Sequence, residues 1–200
     1  MAAKPCPKCD TITEDAWHLL SCAGAGTKLR HDTVLNALYH AALAVGAQAE
    51  REPKGLSWGD GKRPDLQVYF PGTHVLSDVV VSHPLTSYYA GAHSSKPCRA
   101  HTRAGVARSK QREKHVKYDD IAERHGAKLL PFAVETCGGL APDAIAFVRA
   151  LAEEGDEQLS LWSKNSITAH IHAAVAIAVQ AANALVYVRM HGGAPLSSAA

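Results

Sequence analysis

The chain has 200 residues, of which 46% are hydrophobic and 20% charged, and its formal net charge is only +2. These values exclude wholesale disorder and a uniformly polycationic nucleic-acid binder, and the length allows one sizeable core with a small appendage. Five cysteines, an odd number with three near the start, argue for metal binding in a reducing compartment over a disulfide framework.

Residues 1–26 read as a small cysteine/histidine module that closes on Ala23-Gly24-Ala25-Gly26. The first residues carry no secretory h-region. Residues 28–46 have Leu29, Val34, Leu38, Ala42 and Val45 at helical spacing, with Gly46 as a stop. Ala47 to Arg51 reads as a first strand ended by Pro53, and Lys54 to Lys62, with three glycines, as a loop. Leu66 to Phe70 is a short strand, 71–74 a turn, and Val75 to Ser82 a buried strand. His83 to Ala100 looks like an inserted loop, Arg103 to His125 a charged helix, and Lys128 to Glu135 an apolar strand broken by Cys137-Gly138-Gly139. Two helices follow, at 142–154 and 166–190, and then a disordered tail at 192–200. The polar residues His170, His172, Gln180 and Asn183 interrupt the last apolar helix, which favours a buried helix over a membrane span. A meander, a crossover helix and a further strand imply an α/β fold: a mixed sheet flanked by helices.

Cys6-x2-Cys9 followed by His18-x3-Cys22 has the residue types and spacing of a structural Zn²⁺ site. The Cys-x-x-Cys turn offers two thiolates to one side, and His18 and Cys22 share one face of a helical turn. Four ligands leave no open position, so the expected role is folding, because so short a segment has little core of its own.

Asp65, in Arg63-Pro64-Asp65, stands at the mouth of one expected strand, and Asp78 lies inside the apolar run 75–81 of its hairpin partner. A pair of carboxylates suits Mg²⁺ or Mn²⁺, which takes hard oxygen ligands and leaves room for water and phosphate. The plainer alternatives are a strand-opening Asp65 and an Asp78 facing solvent on an edge. The latter must contend with the cost of a lone carboxylate in an apolar run. Glu52 and Glu135, each near a strand end, are further candidates for a third acid. From Lys96 to Lys117 there are eight Lys/Arg against one acid, Glu113, a local stripe suited to phosphate. Lys110, Lys114 and Lys117 can share a helical face, with Tyr118 one turn after Lys114. Glu113 and Lys117 are also spaced to pair, so the choice between Lys114 and Lys117 stays open. Arg108 and Arg112 belong to the same stripe. Arg30 and His31 either contact phosphate or decorate a helix end.

Taken in order, the Cys6, Cys9, His18, Cys22 set, Arg30-His31-Asp32, Arg63-Pro64-Asp65, Asp78-Val79 and Lys114-x2-Lys117-Tyr118 resemble a known family. It is the restriction-like endonuclease region of site-specific non-LTR retrotransposon proteins, which belongs to the PD-(D/E)xK nuclease superfamily. The resemblance covers roughly residues 6–139 and includes Pro131-Phe132 and Gly138-Gly139 at the last core strand. It implies a CCHC zinc knuckle on residues 1–26, a nuclease core on 27–139, and a C-terminal helical extension on 140–191 that carries no motif. Asp65 and Asp78 would be the metal-binding acids, with Lys114, Lys117 and Tyr118 as the catalytic helix motif. It implies nicking of DNA at a target site in the nucleus, with RNA as a further ligand, a reverse transcriptase domain as partner in a larger polyprotein, and no membrane. The superfamily's lysine two residues after the second acid is absent, and Val80 stands there. The rival expectations are a catalytically inactive zinc-containing nucleic-acid-binding module and a zinc-stabilised protein-interaction domain.

Overall fold

The computed structural model describes residues 4–6, 8–10, 12–13, 18–22, 24, 26–56, 63–85, 102–159 and 162–191. The expected tail, and most of the two expected loops at 54–62 and 83–100, lie outside these residues. Near the start, β1 (Lys4–Pro5) pairs antiparallel with β2 (Ile12–Thr13), and the single turn α1 (His18–Ser21) follows. Helix α2 (Thr27–Ala44) begins after Gly26, whose φ of 100° is open to glycine and strained for other residues. The chain turns out of α2 at Gly46, also with positive φ, into β3 (Gln48–Arg51).

Strands β3, β4 (Leu66–Phe70) and β5 (Thr73–Ser77) form an antiparallel meander, with Ala49 opposite Val68 and Val68 opposite Val75. The strand expected at 75–82 does not stop after β5. It is interrupted at Asp78 alone and resumes as β6 (Val79–Ser82). The strand expected at 128–135 is split in the same way, into β7 (Lys128–Leu129) and β8 (Phe132–Glu135), on either side of Leu130 and Pro131. β5 pairs parallel with β7, and β6 pairs parallel with β8. The partner offset is the same on both sides of the break, Val75 opposite Lys128 and Val79 opposite Phe132. Leu130 N–H to the Leu76 carbonyl (2.9 Å) and Phe132 N–H to the Asp78 carbonyl (3.0 Å) carry the ladder across it. The result is a small mixed sheet with a local opening at Asp78. Helix α3 (Gly105–Arg124) makes the crossover that the parallel pairing requires.

Helices cover both faces of the sheet. On one face Leu66, Val68, Val75, Val79, Phe132 and Val134 pack against α2, α4 (Pro142–Gln158) and α5 (Lys164–His191). Phe132 meets Phe147 edge to face, with ring centroids 6.0 Å apart. On the other face Leu76 and Leu129 are covered by Tyr118 and Ala122 of α3. The segment after residue 139, set apart by its lack of motifs, is built into the main core: Phe147, Val148, Leu151, Ile171, Val175 and Val179 are all buried there. By length and composition, α5 is the helix among the described residues that is long and apolar enough to cross a membrane. Here it packs on α2 and α4. Two of its polar residues, Gln180 and Asn183, donate side-chain N–H groups to the Thr136 carbonyl at the end of β8 (3.2 and 2.9 Å).

Candidate functional site

The break at Asp78 lies beside Asp65. The Val79 N–H donates to Asp65 Oδ2 at 2.7 Å. Asp65 stands at the start of β4, which pairs with β5 through Leu66 opposite Ser77. The two acids therefore flank one ladder end, and one carboxylate holds the backbone next to the other. Asp78 is buried, with 7% of its surface exposed. Burial, and then the Asp65 carboxylate, push its pKa above the ordinary value, against the opposing pull of Lys114 and His31. Each acid thus lies within electrostatic reach of the other.

Two cations close over the pair. Lys114 Nζ makes an ion pair with Asp78 Oδ2 at 2.5 Å and lies 5.6 Å from the centroid of the Tyr118 ring. Tyr118 is buried beneath α3. The geometry thus separates the two lysines: Lys114 reaches Asp78, and Lys117 is exposed. Glu113 pairs with Lys110 at 2.7 Å, one turn earlier on α3. On the other side His31 Nε2 lies 3.0 Å from Asp65 Oδ2, and its Nδ1 lies 3.0 Å from Asp32. Its bond to Asp65 is the main reason its pKa is raised, to about 9, burial notwithstanding. His31 is therefore an imidazolium at neutral pH, fixed on Asp65.

The remaining expected residues divide. Arg108 and Arg112 are exposed on α3, open to a phosphate backbone, and Lys110 is partly exposed beside Glu113. Arg30 is not open to one: 2% of its surface is exposed, and Nη2 donates to the Leu20 carbonyl at 2.9 Å. Its position on α2 aims it inward at the cysteine module. Glu52 is exposed with φ of 47°, and its N–H donates to the Asp65 carbonyl at 2.9 Å, so it supports the backbone there. Glu135 is buried and committed elsewhere: its Oε1 accepts from the N–H groups of Val106 (3.0 Å) and Ala107 (3.3 Å) in the first turn of α3. The Glu135 carboxylate is thereby taken up by α3 and not by the pair.

One residue near the site escaped the sequence reading. His115, next to Lys114, bridges Asp119 (2.6 Å) and Asp143 (2.5 Å) and so ties α3 to the first turn of α4. Burial pulls its pKa down, but the two carboxylates outweigh that and the net shift is upward. Asp119 was visible at helical spacing, and Asp143 could be found only from the fold.

At the N-terminus, the ligand atoms of Cys6, Cys9, His18 and Cys22 all lie within 4.8 Å of one another. Among the described residues this is the group of three or more such atoms so gathered; Asp65 and Asp78 belong to none. The Cys6 and Cys22 sulfurs are 3.8 Å apart, and Cys9 Sγ lies 3.2 Å from His18 Nε2. Tetrahedral zinc with Zn–S bonds of about 2.3 Å requires S···S edges of about 3.8 Å, so the donor set fits Zn²⁺. The turn that presents Cys6 and Cys9 is closed by Asp10 N–H to the Cys6 carbonyl (2.9 Å), and Cys22 N–H to the His18 carbonyl (2.7 Å) closes the other. Burial raises the pKa of the Cys22 thiol, and a cation is what lets neighbouring thiols ionise together. Cys6 and Cys22 pack with Leu29, Val186 and Met190, which docks the module onto α2 and α5. Searches against protein-family models and curated proteins give no match to this chain.

Proposed function

We propose that this chain is a divalent-metal-dependent DNA endonuclease with a PD-(D/E)xK-like core, a retrotransposon-type enzyme for target-site nicking that carries a structural zinc knuckle. The observation that supports it is the convergence of Asp65, Asp78 and Lys114 at an opening in a mixed sheet. A structural ion pair does not need a second buried-side carboxylate opposed to the first, and such opposition is a mark of functional sites. Mg²⁺ or Mn²⁺, which the two hard carboxylates suit, would supply polarisation of the phosphoryl oxygen and a more acidic attacking water. In this reading Asp65 and Asp78 hold the cation, and His31 and the Val79 N–H fix the Asp65 carboxylate. Lys114 offsets charge on the phosphate as it leaves Asp78, and Tyr118 steadies it. Arg108, Lys110 and Arg112 would meet the DNA backbone, with Lys117 beside them, and a reverse transcriptase domain would use the nick.

The test is nicking of supercoiled plasmid with Mg²⁺ or Mn²⁺ by the wild type and by Asp65→Ala, Asp78→Ala and Lys114→Met. Loss of about 100-fold or more in each variant is expected, since each removes charge stabilisation at the reacting phosphate. Equal nicking by all four proteins rejects the enzyme reading. A second reading, an inactive zinc-containing nucleic-acid-binding module, draws on the fact that both acids already have cationic partners inside the chain. Salt-sensitive DNA or RNA binding without nicking by the wild type selects it.

A further inference from the structure

Arg30 presents a physical problem. It is almost wholly buried, yet among the described residues neither Nε nor Nη1 has a hydrogen-bond acceptor. A buried cation without a countercharge is among the costlier arrangements in a protein interior. Its Nη2 donates to the carbonyl of Leu20. Leu20 lies in α1, between the ligands His18 and Cys22. Leu29, the residue before Arg30, packs against the cluster of Cys6, Cys22 and Val186. The first turn of α2 is thus the wall of the thiol cluster.

The charge of that cluster changes with its metal. Three thiolates and a neutral imidazole around one dication leave a single net negative charge, held next to this wall. We infer that Arg30 is the countercharge of the metal-loaded knuckle, so that the cation and the zinc–thiolate centre are buried as a compensated pair. This rests on the reading that Cys6, Cys9, His18 and Cys22 hold Zn²⁺. It gives Arg30 a role independent of DNA. It also links the knuckle to the acidic pair, because the next residue, His31, holds Asp65.

The test uses the full chain. Metal analysis of the wild type first establishes whether one zinc is bound; if none is, the knuckle reading fails and this inference with it. Zinc affinity is then measured by competition with a chromogenic chelator for the wild type, Arg30→Met and Arg30→Lys. Arg30→Met is expected to weaken zinc binding by about 10- to 100-fold, in the range of other residues that support metal ligands, and Arg30→Lys to recover part of it. The decisive arm repeats Arg30→Met in a Cys9→His background. There the loaded site has two thiolates and is neutral, so the penalty should shrink to less than about 3-fold, as a coupling cycle requires. If Arg30→Met does not fold alone, the inference requires Cys9→His to restore folding in the double variant. Unchanged zinc affinity in Arg30→Met, an undiminished penalty in the Cys9→His background, or no rescue would each overturn the assignment.

Discussion

Asp78 is held in a state that opposes its own ionisation. Burial and the Asp65 carboxylate raise its pKa, so the folded chain binds a proton that the unfolded chain releases earlier. Stability from this group is therefore full at acid pH and declines as pH rises through the raised value. Asp78→Asn removes that opposition. At pH 7 its Tm should equal the wild type's or exceed it by up to about 4 °C, the change that about 1 kcal/mol produces in a chain of this size, while nicking is lost. A Tm several degrees below the wild type's would show that the Lys114 pair outweighs the burial of the charge. His31 titrates in another window. Its folded pKa is about 9 against an ordinary 6.5, so its contribution is fully present below the ordinary value and lost as pH rises through about 9. Urea unfolding from pH 6 to 10 should show the wild type losing on the order of 2–3 kcal/mol relative to His31→Gln. Parallel curves would mean that His31 is not bonded to Asp65 in solution.

At the scale of elements, α3 matters because it carries Lys114. Its N-terminal N–H groups are met by the buried Glu135, where a carboxylate also complements the helix dipole. Glu135→Ala leaves two buried donors without an acceptor and should cost about 2–4 kcal/mol in denaturant unfolding, with Glu135→Gln recovering part of it. An effect under about 0.5 kcal/mol would place the helix start in water. Periodicity made α2, α3 and the apolar strands legible in the sequence, because Leu29, Val34, Leu38 and Ala42 repeat at helical spacing whatever they later touch. The break at Asp78 was not legible. There the Asp65 carboxylate, just before β4, takes the Val79 N–H, a bond between chain positions that no local pattern relates. The capping by Glu135 was hidden for the same reason, and a strand-end acid read from sequence alone became a candidate metal ligand. The thiol cluster was legible because its four ligands lie close along the chain and their spacing is itself the geometry. Placing Lys114 and not Lys117 at Asp78 needed the rotation of α3 on the sheet, which Ala107, Tyr118 and Ala122 beneath it help to define.

The whole molecule is assembled differently from the order of its motifs. Every site residue expected from the sequence lies before residue 139, yet the face of the sheet opposite α3 is closed mainly by α2, α4 and α5. Leu66, Val68, Val75 and Val79, which fix the hairpin bearing both acids, share their core with Phe147, Leu151, Ile171 and Val175. The same α5 reaches the thiol cluster through Val186. Removing residues 140–200 would expose that apolar face along the whole sheet, a loss far larger than the few kcal/mol by which domains of this size are stable. A fragment of residues 1–139 should therefore show no cooperative thermal transition, even with zinc. In the full chain Phe147→Ala, which hollows out the contact with Phe132, should cost about 3–5 kcal/mol. A fragment 1–139 that melts cooperatively and nicks DNA would instead establish the motif-bearing segment as an autonomous domain. The apolar surface of α4 and α5 would then need another explanation, beginning with the membrane-compatible length of α5.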